Sequence, residues 1–205
     1  MNNNIDLKEF ERKIFTSYFH DGMWDLYGGL ILLGFGLTML TGWDYLIVAF
    51  TVLAMVPLLI RKRIVISRLG AVKFSQERQQ KTKKSVFVAM ISLTFTALLG
   101  MAFFILYSTN TMPQWLETWM QDYFLTFFGS MIAVLILIAA FLVSVKRFYA
   151  YAVLVFMAFF LASLLRPEDM EVIPITVAGG LILLSGVVIL IRFLRNNPLS
   201  KEEIT

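Results

Sequence analysis

With 59% of its 205 residues hydrophobic and only 16% charged, this chain is far more apolar than a soluble domain. Soluble domains run at about 45–50% apolar and about 25% charged. Its lack of cysteine removes disulfides, thiolate nucleophiles, iron–sulfur clusters and cysteine zinc sites, and its single histidine, His20, removes bis-histidine haem and HExxH chemistry within one chain. The net charge of +4 has to be placed against a bilayer before it says anything about nucleic acid.

The expected fold is an all-α integral membrane protein with six transmembrane helices. Residues 1–22 hold no apolar core region and no small-residue cleavage site, so they are expected to stay on the mature chain as an amphipathic cytoplasmic segment. Apolar runs follow at Met23–Thr41, Trp43–Ile60, Ser85–Tyr107, Tyr123–Val145, Phe148–Leu165 and Val172–Ile191. Each is close to the roughly 20 residues needed to cross the hydrocarbon core, and none has Lys, Arg, Asp or Glu near its middle. Continuous runs fit helices, which satisfy their own backbone hydrogen bonds in hydrocarbon; a β-barrel would show short alternating segments.

The domain plan is a single membrane unit. It comprises a first hairpin at 23–60, a basic segment at 61–84, the third span at 85–107, an outer loop at 108–122, three spans over 123–191 and a tail at 192–205. Short links such as Thr41–Asp44 and Lys146–Arg147 force neighbouring antiparallel helices. Counted by segment, 17 of the 18 Lys and Arg fall on one side of this plan, with Arg166 alone on the other. Positive residues stay cytoplasmic, so both termini are expected inside a bacterial inner (plasma) membrane. The basic character is then topology, and no nucleic-acid partner is implied.

In the outer loop, Thr111 and Gln114 have capping-box spacing, and Trp115, Trp119 and Tyr123 recur at i, i+4, i+8. This predicts a short outer interfacial helix with its aromatic rings in the headgroup layer. A carbohydrate or ligand platform is the functional alternative. On the inner side, RKRIVISRLGAVKF at 61–74 is basic with interleaved apolar residues and is expected to lie on the inner leaflet. Residues 75–85 are polar helix formers with a Glu77–Lys81 pair, and are read as a cytoplasmic extension of the third helix. The basic segment could bind anionic lipid head groups at about 1 kcal/mol per near-surface cation, or simply fix orientation.

The densest polar group beside a span is His20, Asp21 and Asp25. Asp21 and Asp25 share a helix face if the first helix begins by residue 21. Three readings compete: a structural clamp onto Arg61, Lys62, Arg63 or Arg68; an effector or lipid-headgroup site; and a metal or general-base site. The clamp is preferred. Acids are favoured at a helix N-terminus whatever their role, and no second histidine supports a metal. No metal or other cofactor is expected.

Glycines mark packing. Gly28, Gly29, Gly34 and Gly36 lie in the first run and Gly179, Gly180 and Gly186 in the sixth, and the string GGLILL occurs in both. Small residues let membrane helices approach, so these two spans are expected to touch, within one chain or between copies. Hydroxyls such as Thr38, Thr51, Thr126, Ser130, Ser163 and Ser185 should bond their own helix or a neighbour. Pro57 should bend the inner end of the second span, whereas Pro174 sits where proline is tolerated. The absence of mid-span carboxylates counts against an ion-coupled carrier.

Two pieces, DGMWDLYGG at 21–29 and RKRIVISRLGAVKF at 61–74, resemble recurring elements of an uncharacterised bacterial multi-pass membrane protein family. The resemblance covers about the first third of the chain. It implies pairing of Asp21 or Asp25 with the basic segment and brings no activity. The leading functional expectation is a non-catalytic partner or regulatory subunit, contacting membrane lipids and a membrane partner or second copy. The alternatives are the substrate-binding membrane subunit of a small-molecule transporter, similar only in size and orientation to the six-span binding components of energy-coupling-factor vitamin uptake systems, and a lipid-headgroup enzyme using His20, Asp21 and Asp25.

Overall fold

The computed structural model of the chain describes residues 19–69, 113–165 and 172–198, with scattered positions between 80 and 109. The described residues form helices and turns and no strand. Among the described residues, five helices are long and apolar enough to cross a membrane. We label the continuous helices α1 (Met23–Thr41), α2 (Tyr45–Leu69), α3 (Gln114–Val143), α4 (Lys146–Leu164) and α5 (Ile173–Asn196). The expected span Ser85–Tyr107 falls largely outside the described residues. Its described positions, such as Phe87, Met90, Met101 and Ile105, are helical, as are Gln80, Lys83 and Lys84 of the expected extension.

Local chemistry sets the helix ends. Gly42 takes a left-handed φ of 70° and its N–H bonds Thr38 O at 2.9 Å, which stops α1 and turns the chain into α2. Ser144 stops α3 with a φ of 59°, the one positive φ outside glycine among the described residues. Buried, extended Val145 then leads directly into α4. Pro174 sits in the first turn of α5, where a missing N–H costs nothing.

Two expectations are corrected here. The basic stretch from Arg61 to Leu69, expected as a segment separate from the second span, continues α2 as one helix, and residues 70–74 lie outside the described residues. It consists of residues a helix accepts, and no glycine breaks it before Gly70. Likewise, the separate outer helix does not exist. Gln114 begins a single 30-residue helix that runs to Val143, capped by Pro113 with no side-chain cap bond. Nothing between Asp122 and Tyr123 breaks the helix, so the outer segment and the fourth span fuse. At 1.5 Å per residue α3 is about 45 Å long, against about 28 Å for the 19-residue α1 and α4. Trp115, Trp119 and Tyr123 are exposed on its first turns.

The packing order is α2–α1–α5–α4–α3, with α1 between α2 and α5. The α1–α5 seam uses the expected glycines. A Cβ on Gly29 would stand 2.5 Å from Leu183 N, and one on Gly179 would stand 2.5 Å from Leu33 N. Gly36 faces Thr176 and Gly186 faces Leu26, whereas Gly34 faces Phe50 of α2. Gly28 and Gly180 face open space, so the repeated GG pair contributes one packing glycine per helix. Below the seam, Phe159 of α4 is fully buried between Phe35 of α1 and Phe128 of α3, with ring centroids 6.0 and 5.9 Å away. Thr38, Thr51 and Ser130 each bond a carbonyl one turn back, Thr126 bonds Ser163 across α3 and α4, and Ser185 bonds Tyr151.

Candidate functional site, an arginine collar at the basic end

The start of α1, the ends of α2 and α5, and the α3–α4 turn meet at one end of the bundle. Asp21 precedes α1, since the helix begins only at Met23. Gly22 takes a left-handed φ of 77°, and a side chain there would meet Gly186 O and Leu190 N of α5, so only glycine lets the chain enter α1 this close to its neighbour. Asp21 does the capping from outside the usual position: its Oδ1 accepts the Met23 N–H at 3.0 Å.

Asp21 and Asp25 are the two polar residues buried among the described residues, at 0% and 1% exposure. They do not share a partner. Arg61 Nε donates to Asp21 Oδ2 at 2.5 Å. The Arg61 guanidinium also lies over the rings of Phe19 and Trp24, at 5.5 and 5.7 Å from their centroids. Asp25, one helical turn further in, is met instead by Arg147 of α4. Arg147 Nε donates to Oδ1 at 3.0 Å, and Nη2 stands 2.7 Å from Oδ2 but off the line of a good hydrogen bond. The same guanidinium donates to Phe19 O at 2.5 Å and lies 3.5 Å from His20 Nδ1. Below it, Tyr151 of α4 stands close to Asp25 while its hydroxyl pairs with Ser185 of α5 at 2.7 Å.

A third arginine closes the last helix. Arg68 of α2 donates to the carbonyl oxygens of Leu194, at 3.2 Å, and of Asn197. These belong to the C-terminal turn of α5, where carbonyls lack intrahelical partners and the dipole favours a cation.

Of the basic residues proposed from sequence as clamp partners, Arg61 reaches Asp21, and Arg68 reaches α5 rather than an acid. Lys62 and Arg63 are exposed on the outside of α2. The expectation that Asp25 pairs with the basic segment is therefore corrected: its partner is Arg147, which the sequence had offered only as part of a short turn. The reason is rotational. Asp21 lies before α1 and turns toward α2, whereas Asp25 lies within α1 and faces α4 and α5, with its Cβ against Gly186. His20 is exposed and adjoins both arms. Partial burial, then the Arg147 charge, lowers its pKa from the usual histidine value, against an opposing pull from Asp21.

Each buried carboxylate is matched to one arginine, and the arginines come from α2 and α4. The chain matches no family model, curated protein or solved structure.

Proposed function

We propose that this chain is a six-span bacterial inner-membrane protein with both termini in the cytoplasm. It serves as a non-catalytic partner or regulatory subunit, working through helix packing and a basic cytoplasmic face that contacts anionic lipid head groups and a membrane partner. The observation that carries this reading is the closure of both buried carboxylates by arginine. A general base or a metal ligand must be open to its substrate or ion, and Asp21 and Asp25 are instead engaged in tying α1 to α2 and α4. The asymmetry of Lys and Arg supports the orientation.

Two experiments test it. A tag on the C-terminus should be protected from a membrane-impermeant reagent in intact cells, while a tag at Pro113, just before α3, should react. A reactive C-terminal tag would overturn the orientation. For the partner role, a photocrosslinker replaces Val52, which is 64% exposed on α2. It should give a discrete protein adduct in the native membrane. Lipid adducts alone would sink the subunit reading.

A further inference from the structure

Among the described residues of the basic end, two sets of cations stand out. Arg61, Arg68 and Arg147 turn inward and are bonded to the protein. A second set stands on the outward stripes of three helices. On α2, Val48, Val52, Met55 and Leu59 are exposed at alternating spacings of four and three, and the next step of that stripe is exposed Lys62. On α5, Val177, Leu181, Leu184 and Val188 form the same kind of stripe, continued by exposed Arg192 and Arg195. On α4 the stripe of Tyr149, Val153, Phe156 and Phe160 begins one turn after exposed Lys146. A helix face is continuous at these spacings, so each cation ends an exposed apolar stripe.

We propose that Lys62, Lys146 and the Arg192–Arg195 pair form three binding positions for anionic phospholipids of the surrounding annulus. Each position seats the acyl chains on an apolar stripe and the headgroup phosphate on the cation that ends it. Charge and geometry both select this occupant. A soluble anion would gain nothing from the stripe, and a zwitterionic lipid carries a compensating charge beside its phosphate. The proposal deepens the basic-face reading above and rests on it. In symmetric bilayers sidedness drops out, so a wrong orientation would leave the result below unchanged, and a failed result would leave the topology standing.

The test uses the purified full-length chain in nanodiscs of phosphatidylcholine with a minority of phosphatidylglycerol. Spin-labelled versions of the two lipids report the fraction held against the protein. The labelled phosphatidylglycerol should be retained about five-fold over phosphatidylcholine, as about 1 kcal/mol per near-surface cation implies. Replacing Lys62, Lys146, Arg192 and Arg195 together by Gln should bring the ratio close to one. The single substitutions, all on exposed positions, read the same ratio one cation at a time. Equal retention of the two lipids by the unaltered chain would overturn the proposal. So would a ratio that survives all four substitutions. If millimolar glycerol phosphate abolishes the preference, the cations bind free anions and the lipid assignment is wrong.

Discussion

Arg147 Nη2 stands 2.7 Å from Asp25 Oδ2 across 122 residues of chain, and both side chains are largely shielded, at 17% and 0% exposure. The same arginine holds Phe19 O, so one guanidinium fixes the approach to α1, its first turn and the start of α4.

Removing one member of such a pair strands the other. We expect Asp25→Asn and Arg147→Gln each to lower stability in detergent by about 3–5 kcal/mol, and the double substitution to cost little more than either single one. Combining Asp25→Asn with Arg61→Gln should instead give nearly additive losses, because Arg61 serves Asp21. Additive losses for Asp25 with Arg147 would mean that the two are not coupled.

Adjacent glycines give a sharper contrast. Gly179→Val should separate α1 from α5 and lower the melting temperature strongly, since even a Cβ there would meet the Leu33 backbone. A Cβ on Gly180 meets nothing within 4 Å, so Gly180→Val should be far better tolerated. Parallel thermal scans of the two variants decide it; similar losses would rule out the seam.

Ser144 ends α3 in a left-handed conformation that costs an L-residue about 1–2 kcal/mol. Ser144→Gly relieves this, against glycine's greater unfolded freedom, and should raise stability by roughly 0.5–1 kcal/mol. A fall in melting temperature would show that the serine side chain matters more than its backbone.

The lowered pKa of His20 sets the sign of a pH dependence. Its folded pKa lies below the unfolded value of about 6.5, so the unfolded chain binds the proton more readily. The contribution is flat above that pH. Stability falls as pH drops through about 6.5 toward the lowered folded value, then levels off. Melting temperatures at pH 7.5 and 5.5 should differ less in His20→Gln than in the unaltered chain. An equal drop in both would assign the dependence to other groups.

Arg68 should matter locally. Arg68→Ala removes charge-assisted bonds to Leu194 and Asn197 carbonyls, each worth about 1.5–3 kcal/mol. Amide exchange over the last turn of α5 should accelerate while the centre of the helix stays protected. Unchanged exchange there would show that Asn197, whose side chain bonds Phe193 O, caps the helix alone.

How much of this could be read from residues alone depends on whether the signal is local. The α1 span, read as about Met23–Thr41, was legible because a continuous apolar run of membrane-crossing length stands there. The α1–α5 contact was legible because glycine has few uses in a membrane helix other than close approach. What was not legible was rotation: nothing in a linear pattern says that Asp21 turns toward α2 and Asp25 toward α4. Arg147 was missed because a cation in a two-residue turn reads as a topology signal. It follows closely on extended Val145 and the left-handed Ser144, which turn the chain into α4. The fusion of the 108–122 segment with the fourth span was hidden for a different reason. Aromatic periodicity marks an interface equally well on a separate helix or on a long one.

The pairing of α1 with α5 also has a consequence for biosynthesis. The first described helix emerges long before its main partner, on the order of ten seconds at roughly 5–20 residues per second. During that wait α1 and α2 can close on each other through Asp21 and Arg61, but Asp25 and the glycine face remain unmatched until α4 and α5 are inserted. A half-made chain therefore exposes a carboxylate and a strip of bare backbone to lipid, and a finished one exposes neither. A truncation after α3 removes Arg147 and the α5 backbone together, so Asp25 and the Gly29 face of α1 lose their partners at once.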